Sequence, residues 1–231
     1  MPIGSGARVI AFDYSLTRVP DIQMGDNTLR FKFRDLSFDP TVNPTIFNWK
    51  EGSYWTKVEI DGNVWDYHHS AGNNDFSHEF NSKFMHNGKM GFGDVELVSA
   101  NIQPTVTSGM FAGCDALTRV ASIDTSQCVD ASNMFSDCDA LTAIGELDFS
   151  NVSSMYHTFA SCQELTAIPN FTCTNKIENV NLAFWYCSNA RAGVSAAYQQ
   201  VSGATSHNHP FYMCSKNLDL GEMNVIPDDW K

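Results

Sequence analysis

The chain has 231 residues, 43% of them hydrophobic and 17% charged, with 16 Phe; that balance excludes a disordered chain and allows one large domain or two modest ones. Its 26 acidic and 14 basic residues leave a net charge of −12, which repels nucleic-acid phosphates and anionic membrane surfaces, so no nucleic acid and no membrane is expected as a partner. No apolar run approaches the roughly 20 residues that cross a bilayer, and no basic start leads into an apolar stretch as in a secretory signal.

Taken in chain order, residues 1–27 carry scattered Gly and Pro and read as an extended N-terminal arm of the kind that docks on a partner subunit. Residues 28–100 read as a β-rich region. Thr28-Leu29-Arg30-Phe31-Lys32-Phe33-Arg34 alternates apolar and polar residues, which predicts a half-buried strand. Trp55 to Ile60, then Asp61-Gly62, then Asn63-Val64-Trp65-Asp66-Tyr67 predict a β-hairpin with a tight turn. Ser77 to Met85 places Phe80 and Phe84 four apart and reads as the helix of a degenerate first repeat.

From about residue 108 the chain repeats itself. Phe111-Ala112-Gly113-Cys114, Phe135-Ser136-Asp137-Cys138, Phe159-Ala160-Ser161-Cys162, Phe184-Trp185-Tyr186-Cys187 and a weaker Phe211-Tyr212-Met213-Cys214 align, with intervals of 24, 24, 25 and 27 between the Phe residues. Leu117, Leu141 and Leu165 follow in register, then Val120, Ile144 and Ile168, then Ile123, Leu147 and Phe171. In the unit starting at Val152, apolar Val152, Met155, Phe159 and Cys162 define one face of a short helix. Leu165 to Thr172 is too short and proline-interrupted for a helix and suits a turn and a strand. One helix and one strand per unit predict an α/β fold: a short leucine-rich-repeat solenoid of four to five turns over residues 101–215, with the β-rich region as its N-terminal cap. The Phe, Leu and Ile columns are its expected core. Residues 216–231 form a C-terminal capping tail, preceded by a predicted helix from Ala190 to Tyr198.

Seven Cys with no Cys-x-x-Cys argue against a zinc cage and a complete disulfide framework. Five of them, Cys114, Cys138, Cys162, Cys187 and Cys214, hold one position in successive units and are expected to be buried thiols. Cys128 and Cys173 lie off that ladder.

The strand side is the expected binding face, with Arg119, Ser122, Thr125, Glu146, Phe149 and Asn170 pointing outward. The small residues between Phe and Cys of the early units give way to Trp185, Tyr186, Tyr212 and Met213 in the last two, so these are either covered by the tail, where Trp230 needs a place to pack, or presented to a partner. Catalytic signatures are missing: no nucleophile elbow, zinc-protease helix, phosphate loop or dinucleotide fingerprint occurs. His68 and His69, and His207 and His209, read as surface-loop residues. Asp61-Gly62-Asn63 with Asp66 resembles a calcium loop, but Gly72 stands where that loop needs Glu. No metal, cofactor or catalytic residue is expected. Asp124 and Asp148, equivalent in successive units, are the best carboxylate pair for a remote enzymatic alternative, and Asn151 with Asn175 suggests a polar ladder.

Met134-Phe135-Ser136-Asp137-Cys138-Asp139-Ala140-Leu141-Thr142-Ala143-Ile144, followed by Leu147-Asp148-Phe149-Ser150-Asn151-Val152, resembles the BspA-type leucine-rich repeats of Bacteroidales surface adhesins and of proteins from their phages and prophages. The flanks look more like the phage group: Thr28 to Phe33 with Phe38-Asp39-Pro40, Asn63 to Tyr67, Ala197-Tyr198-Gln199-Gln200, and Ile226-Pro227-Asp228-Asp229-Trp230. Gly109 and Ala131 depart from the pattern, standing where apolar residues are expected, which predicts looser first turns. The resemblance implies a non-catalytic structural and adhesion protein of a phage virion, assembled in the host cytoplasm as a head or tail fibre or decoration protein. Its partners would be other virion proteins through the N-terminal region, a host-surface glycan or protein, and a second copy of itself. A bacterial cell-surface adhesin is the alternative, and a glycan-active enzyme the remote one.

Overall fold

The computed structural model describes residues 28–33, 54–60, 63–69, 75–82, 84, 94–174, 177–214 and 221–231; the arm at 1–27, Met85 and Asn175 lie outside them. Strand β1 (Thr28–Phe33) has the predicted alternation, with Leu29 and Phe31 both buried. It lies between β2 (Tyr54–Ile60), parallel to it, and β4 (Val95–Asn101), antiparallel to it. β2 pairs antiparallel with β3 (Asn63–His69), Ile60 facing Asn63, the register of the predicted hairpin; its turn, Asp61-Gly62, lies outside the described residues. His68 and His69 therefore end a strand instead of sitting in a loop.

β4 carries the sheet into the repeat. It runs parallel to β5 (Leu117–Val120), which runs parallel to β6 (Ala143–Ile144), in the order β3-β2-β1-β4-β5-β6. The first coil's sheet edge is thus paired, not left open. β7 (Leu147–Phe149) and β8 (Phe171–Cys173) form a second parallel pair.

Successive coils lie on one another in parallel register, joined by bridges along Asp75, Val106, Asp130, Ser154, Asn179 and Ser206. Inside, the rings of Phe80, Phe111, Phe135, Phe159, Phe184 and Phe211 follow one another at centroid separations of 5.4, 5.7, 5.8, 5.5 and 5.0 Å, all within 13° of parallel. All six are buried. Phe80, in the segment read as a degenerate first repeat, extends the column one coil before Phe111, and Phe31 meets it edge-on at 5.4 Å.

The helix predicted for each unit is absent. Val152, Met155, Phe159 and Cys162 do share a buried face, but the chain through them is a run of turns. The N–H groups of Met155, His157, Phe159 and Ser161 donate to Asn179, Asn181, Ala183 and Trp185 of the next coil at 2.7–3.1 Å, while those of Thr158, Ala160 and Cys162 close turns three residues back. A right-handed helix cannot pass through His157 (φ 55°) or Ser161 (φ 60°), which are left-handed. The equivalent places in other coils are Gly109 and Gly113, Asn133 and Asp137, Leu182 and Tyr186, and His209 and Met213. His78 and Ser82 are left-handed too, so the helix expected from Ser77 is also a pair of turns. Gly109 is therefore not a lost apolar residue: it occupies a left-handed position that glycine adopts without strain. Ala131 is fully buried and its carbonyl accepts the Thr158 hydroxyl at 3.0 Å, so neither residue loosens the first turns. Among the described residues the one α-helix is α1 (Val194–Val201); it starts later than predicted because Gly193 is left-handed, with φ 81°.

The thiols are part of the stack. Cys114, Cys138, Cys162 and Cys187 donate to the carbonyls of Phe80, Phe111, Phe135 and Phe159 in the preceding coil at 3.0–3.2 Å. A cysteine here fills a small apolar space and also gives a second donor to a buried carbonyl, since the Phe111, Phe135 and Phe159 carbonyls already accept a turn N–H. All seven cysteines are free, and burial pushes the thiols of Cys138, Cys162 and Cys187 far above their ordinary range. A maleimide added to the native protein is expected to label Cys173, the one half-buried thiol, and to reach all seven only after denaturation. Fast native labelling of Cys138 or Cys162 would contradict this packing.

At the far end, the Phe211 N–H donates to the Trp230 carbonyl at 2.9 Å, the bond that a next coil supplies elsewhere. The Trp230 ring stacks on His207 at 4.3 Å and meets Tyr198 edge-on at 5.2 Å. Among the described residues its ring contacts are with these two and not with Trp185, Tyr186 or Tyr212.

Candidate functional site

Ile123, Asp124 and Thr125 precede β7 by one coil without forming a strand, and a side chain joins the two: the Asp148 N–H donates to the Thr125 hydroxyl at 2.9 Å. Where that side chain stands in for a backbone carbonyl the surface opens into a cleft of about 430 Å³, lined by residues 123–125, 146–148 and 170–172.

Asp124, Asp148 and Thr172 line up one per coil on the wall of this cleft. Asp124 accepts from Gln103 Nε2 at 2.7 Å and from the Ser126 N–H at 3.0 Å. Asp148 accepts from the Ser150 N–H at 2.9 Å and the Thr172 hydroxyl at 3.2 Å. Ser126 and Gln103 hold the Asp124 carboxyl below the ordinary carboxylate range, and Ser150 with Thr172 does the same for Asp148. Both are ionised at neutral pH. Fixed carboxylates with hydroxyl and amide neighbours accept hydrogen bonds from a ligand; they are poor proton donors.

Of the residues expected on this face, Arg119, Ser122, Glu146 and Asn170 are exposed, and Glu146 and Asn170 line the cleft. Thr125 and Phe149 are fully buried, contrary to expectation. Side chains two apart on a strand share a face, so Phe149 must follow Leu147 inward, where its ring lies 5.8 Å from Phe171, and Thr125 follows Ile123. The outward residues are the ones between, Asp124 and Asp148; the strand alternation was the signal that could have assigned them. Thr172 follows from the same column. The Asn151 amide donates to the Ser126 carbonyl at 2.8 Å, a structural bond between coils.

Trp185 and Tyr186 are half-buried and Tyr212 is 43% exposed; they group together half a coil along the chain from the cleft. His207 is stacked on Trp230 and His209 is exposed. Among the described residues no three His, Cys, Asp or Glu side chains are grouped to hold a metal ion, and no helix is long and apolar enough to cross a membrane.

Stacked coils with one phenylalanine column and one thiol column define a repeat protein. The family model described as "Mycoplasma protein of unknown function, DUF285" matches residues 102–221, and the chain belongs to that family of BspA-like repeat proteins. Neither a curated protein nor a solved structure matches the chain.

Proposed function

We propose that this chain is a non-catalytic structural and adhesion protein of a tailed-phage virion, a head or tail fibre or decoration protein, which presents a short leucine-rich-repeat solenoid to the bacterial host surface. The supporting observation is the cleft, where Asp124, Asp148 and Thr172 stand in register on a stack whose coils are bonded to their neighbours. Side chains held this way lose little freedom when a ligand arrives, which favours binding. The depressed carboxyls support the non-catalytic half of the reading, since glycoside hydrolysis requires one carboxyl kept protonated. The N-terminal region then attaches to other virion proteins, and the same chain can associate with copies of itself.

The test has two parts. The protein is expected to co-purify with virus particles from an infected or induced culture, and the purified protein to bind host cells. Asp148→Asn is expected to reduce that cell binding by about three- to tenfold, the loss of one charged hydrogen-bond acceptor, with its melting temperature little changed. Cell binding that is unaffected by Asp148→Asn would remove the cleft from the account. The second reading, a bacterial cell-surface adhesin, is favoured by the family description, which names a cellular bacterium. Recovery of the protein from the cell envelope of uninfected bacteria, with none in particles, would establish it over the first.

A further inference from the structure

Two rows of the stack change character in the last coils. Ala112, Ser136 and Ala160 follow the column phenylalanines in the early coils; Trp185 and Tyr212 take that place later. The next position is left-handed, held by Gly113, Asp137 and Ser161, and then by Tyr186 at φ 60°. Met213 follows at φ 55°, so the backbone there is common to the coils and the ring is what sets Tyr186 apart. The rings belong together: Trp185 and Tyr186 are 4.3 Å apart and tilted by 51°, Tyr186 and Tyr212 are 6.2 Å apart and tilted by 50°, and His209 stands edge-on to Tyr212. Asn208, bonded to the His209 ring at 2.7 Å, adds a polar rim.

We infer that this platform binds a neutral glycan, with one or two pyranose rings stacked on Trp185 and Tyr212. The inference rests on the adhesion reading and gives it a ligand class. Three aromatic side chains less than half exposed offer at most roughly 300 Å², against roughly 800 Å² per partner in a stable protein interface. A second copy or a folded protein finds too little surface here, while a sugar ring matches it. A pyranose presents a face of C–H groups to the rings and an edge of hydroxyls to Asn208 and His209. The net charge of −12 disfavours sialylated or phosphorylated chains, leaving uncharged ones.

Affinity electrophoresis through gels containing a neutral glucan, galactan or mannan tests this on the full chain. Wild type is expected to be retarded by at least one of the three. Tyr212→Ala and Trp185→Ala should each weaken that retardation about tenfold, Trp185→Phe should keep most of it, and Gly203→Ala, whose added Cβ meets nothing within 4 Å, should leave it unchanged. Tyr212 is exposed enough that its variant folds, as an unchanged melting curve will verify. The inference is overturned if no neutral glycan retards wild type, or if both alanine variants run as wild type does. Retardation lost only in Asp148→Asn would put the glycan in the cleft, overturning the platform and leaving the adhesion reading intact.

Discussion

Phe135→Ala is expected to lower the unfolding free energy by about 3–5 kcal/mol. The ring stands in the middle of the column, 5.7 Å from Phe111 and 5.8 Å from Phe159, and is fully buried. Its removal deletes contacts on both sides and leaves a void that close-packed coils on a shared ladder of hydrogen bonds cannot collapse to fill. In a stack each coil is stabilised by the two it touches, so the damage falls at the junction between the N-terminal and C-terminal coils. Urea unfolding followed by circular dichroism should show a lower midpoint and a broadened or split transition. A single unshifted transition would mean that the column is not what couples the coils.

Gly145→Ala carries the second large effect, a loss of about 3 kcal/mol. A Cβ at this position would lie 2.1 Å from the backbone carbonyl oxygen of Ala121 in the neighbouring coil. No side-chain rotation relieves such an overlap; the coils must separate. The Gly145 N–H also donates to the Val120 carbonyl at 2.8 Å, a bond that the separation would lengthen. Gly203→Ala is the matched control, because nothing lies within 4 Å of its added Cβ, and it should change stability by less than about 0.5 kcal/mol. Equal melting temperatures for the two variants would show that coil spacing at Gly145 is looser than these contacts imply.

Both substitutions act on features of unequal visibility. The phenylalanine column was legible from spacing alone, because a residue recurring every 24 or 25 positions among matched neighbours has to occupy one place in successive units. The cysteine ladder followed for the same reason, though its hydrogen bonds to the preceding phenylalanine carbonyls did not. The role of Gly145 was invisible, since it depends on how near another coil's backbone passes. The cleft was legible in part: its side of the coil was expected and Glu146 and Asn170 point there, but the phase of β7 was misassigned at Phe149, and Thr125 with it.

Period, columns and the β2–β3 hairpin were therefore legible in the sequence itself, because apolar side chains at a fixed spacing constrain which residues meet, whereas the placing of β1 between β2 and β4 was not. Whether Val152 to Cys162 coils as a helix or as linked turns was decided only in the tertiary structure. The two forms bury the same side chains, and what separates them is where alternate N–H groups find acceptors, in this coil or in the next. A lone unit has no next coil to bond to, so the left-handed residues at His157 and Ser161 become affordable only once the stack exists.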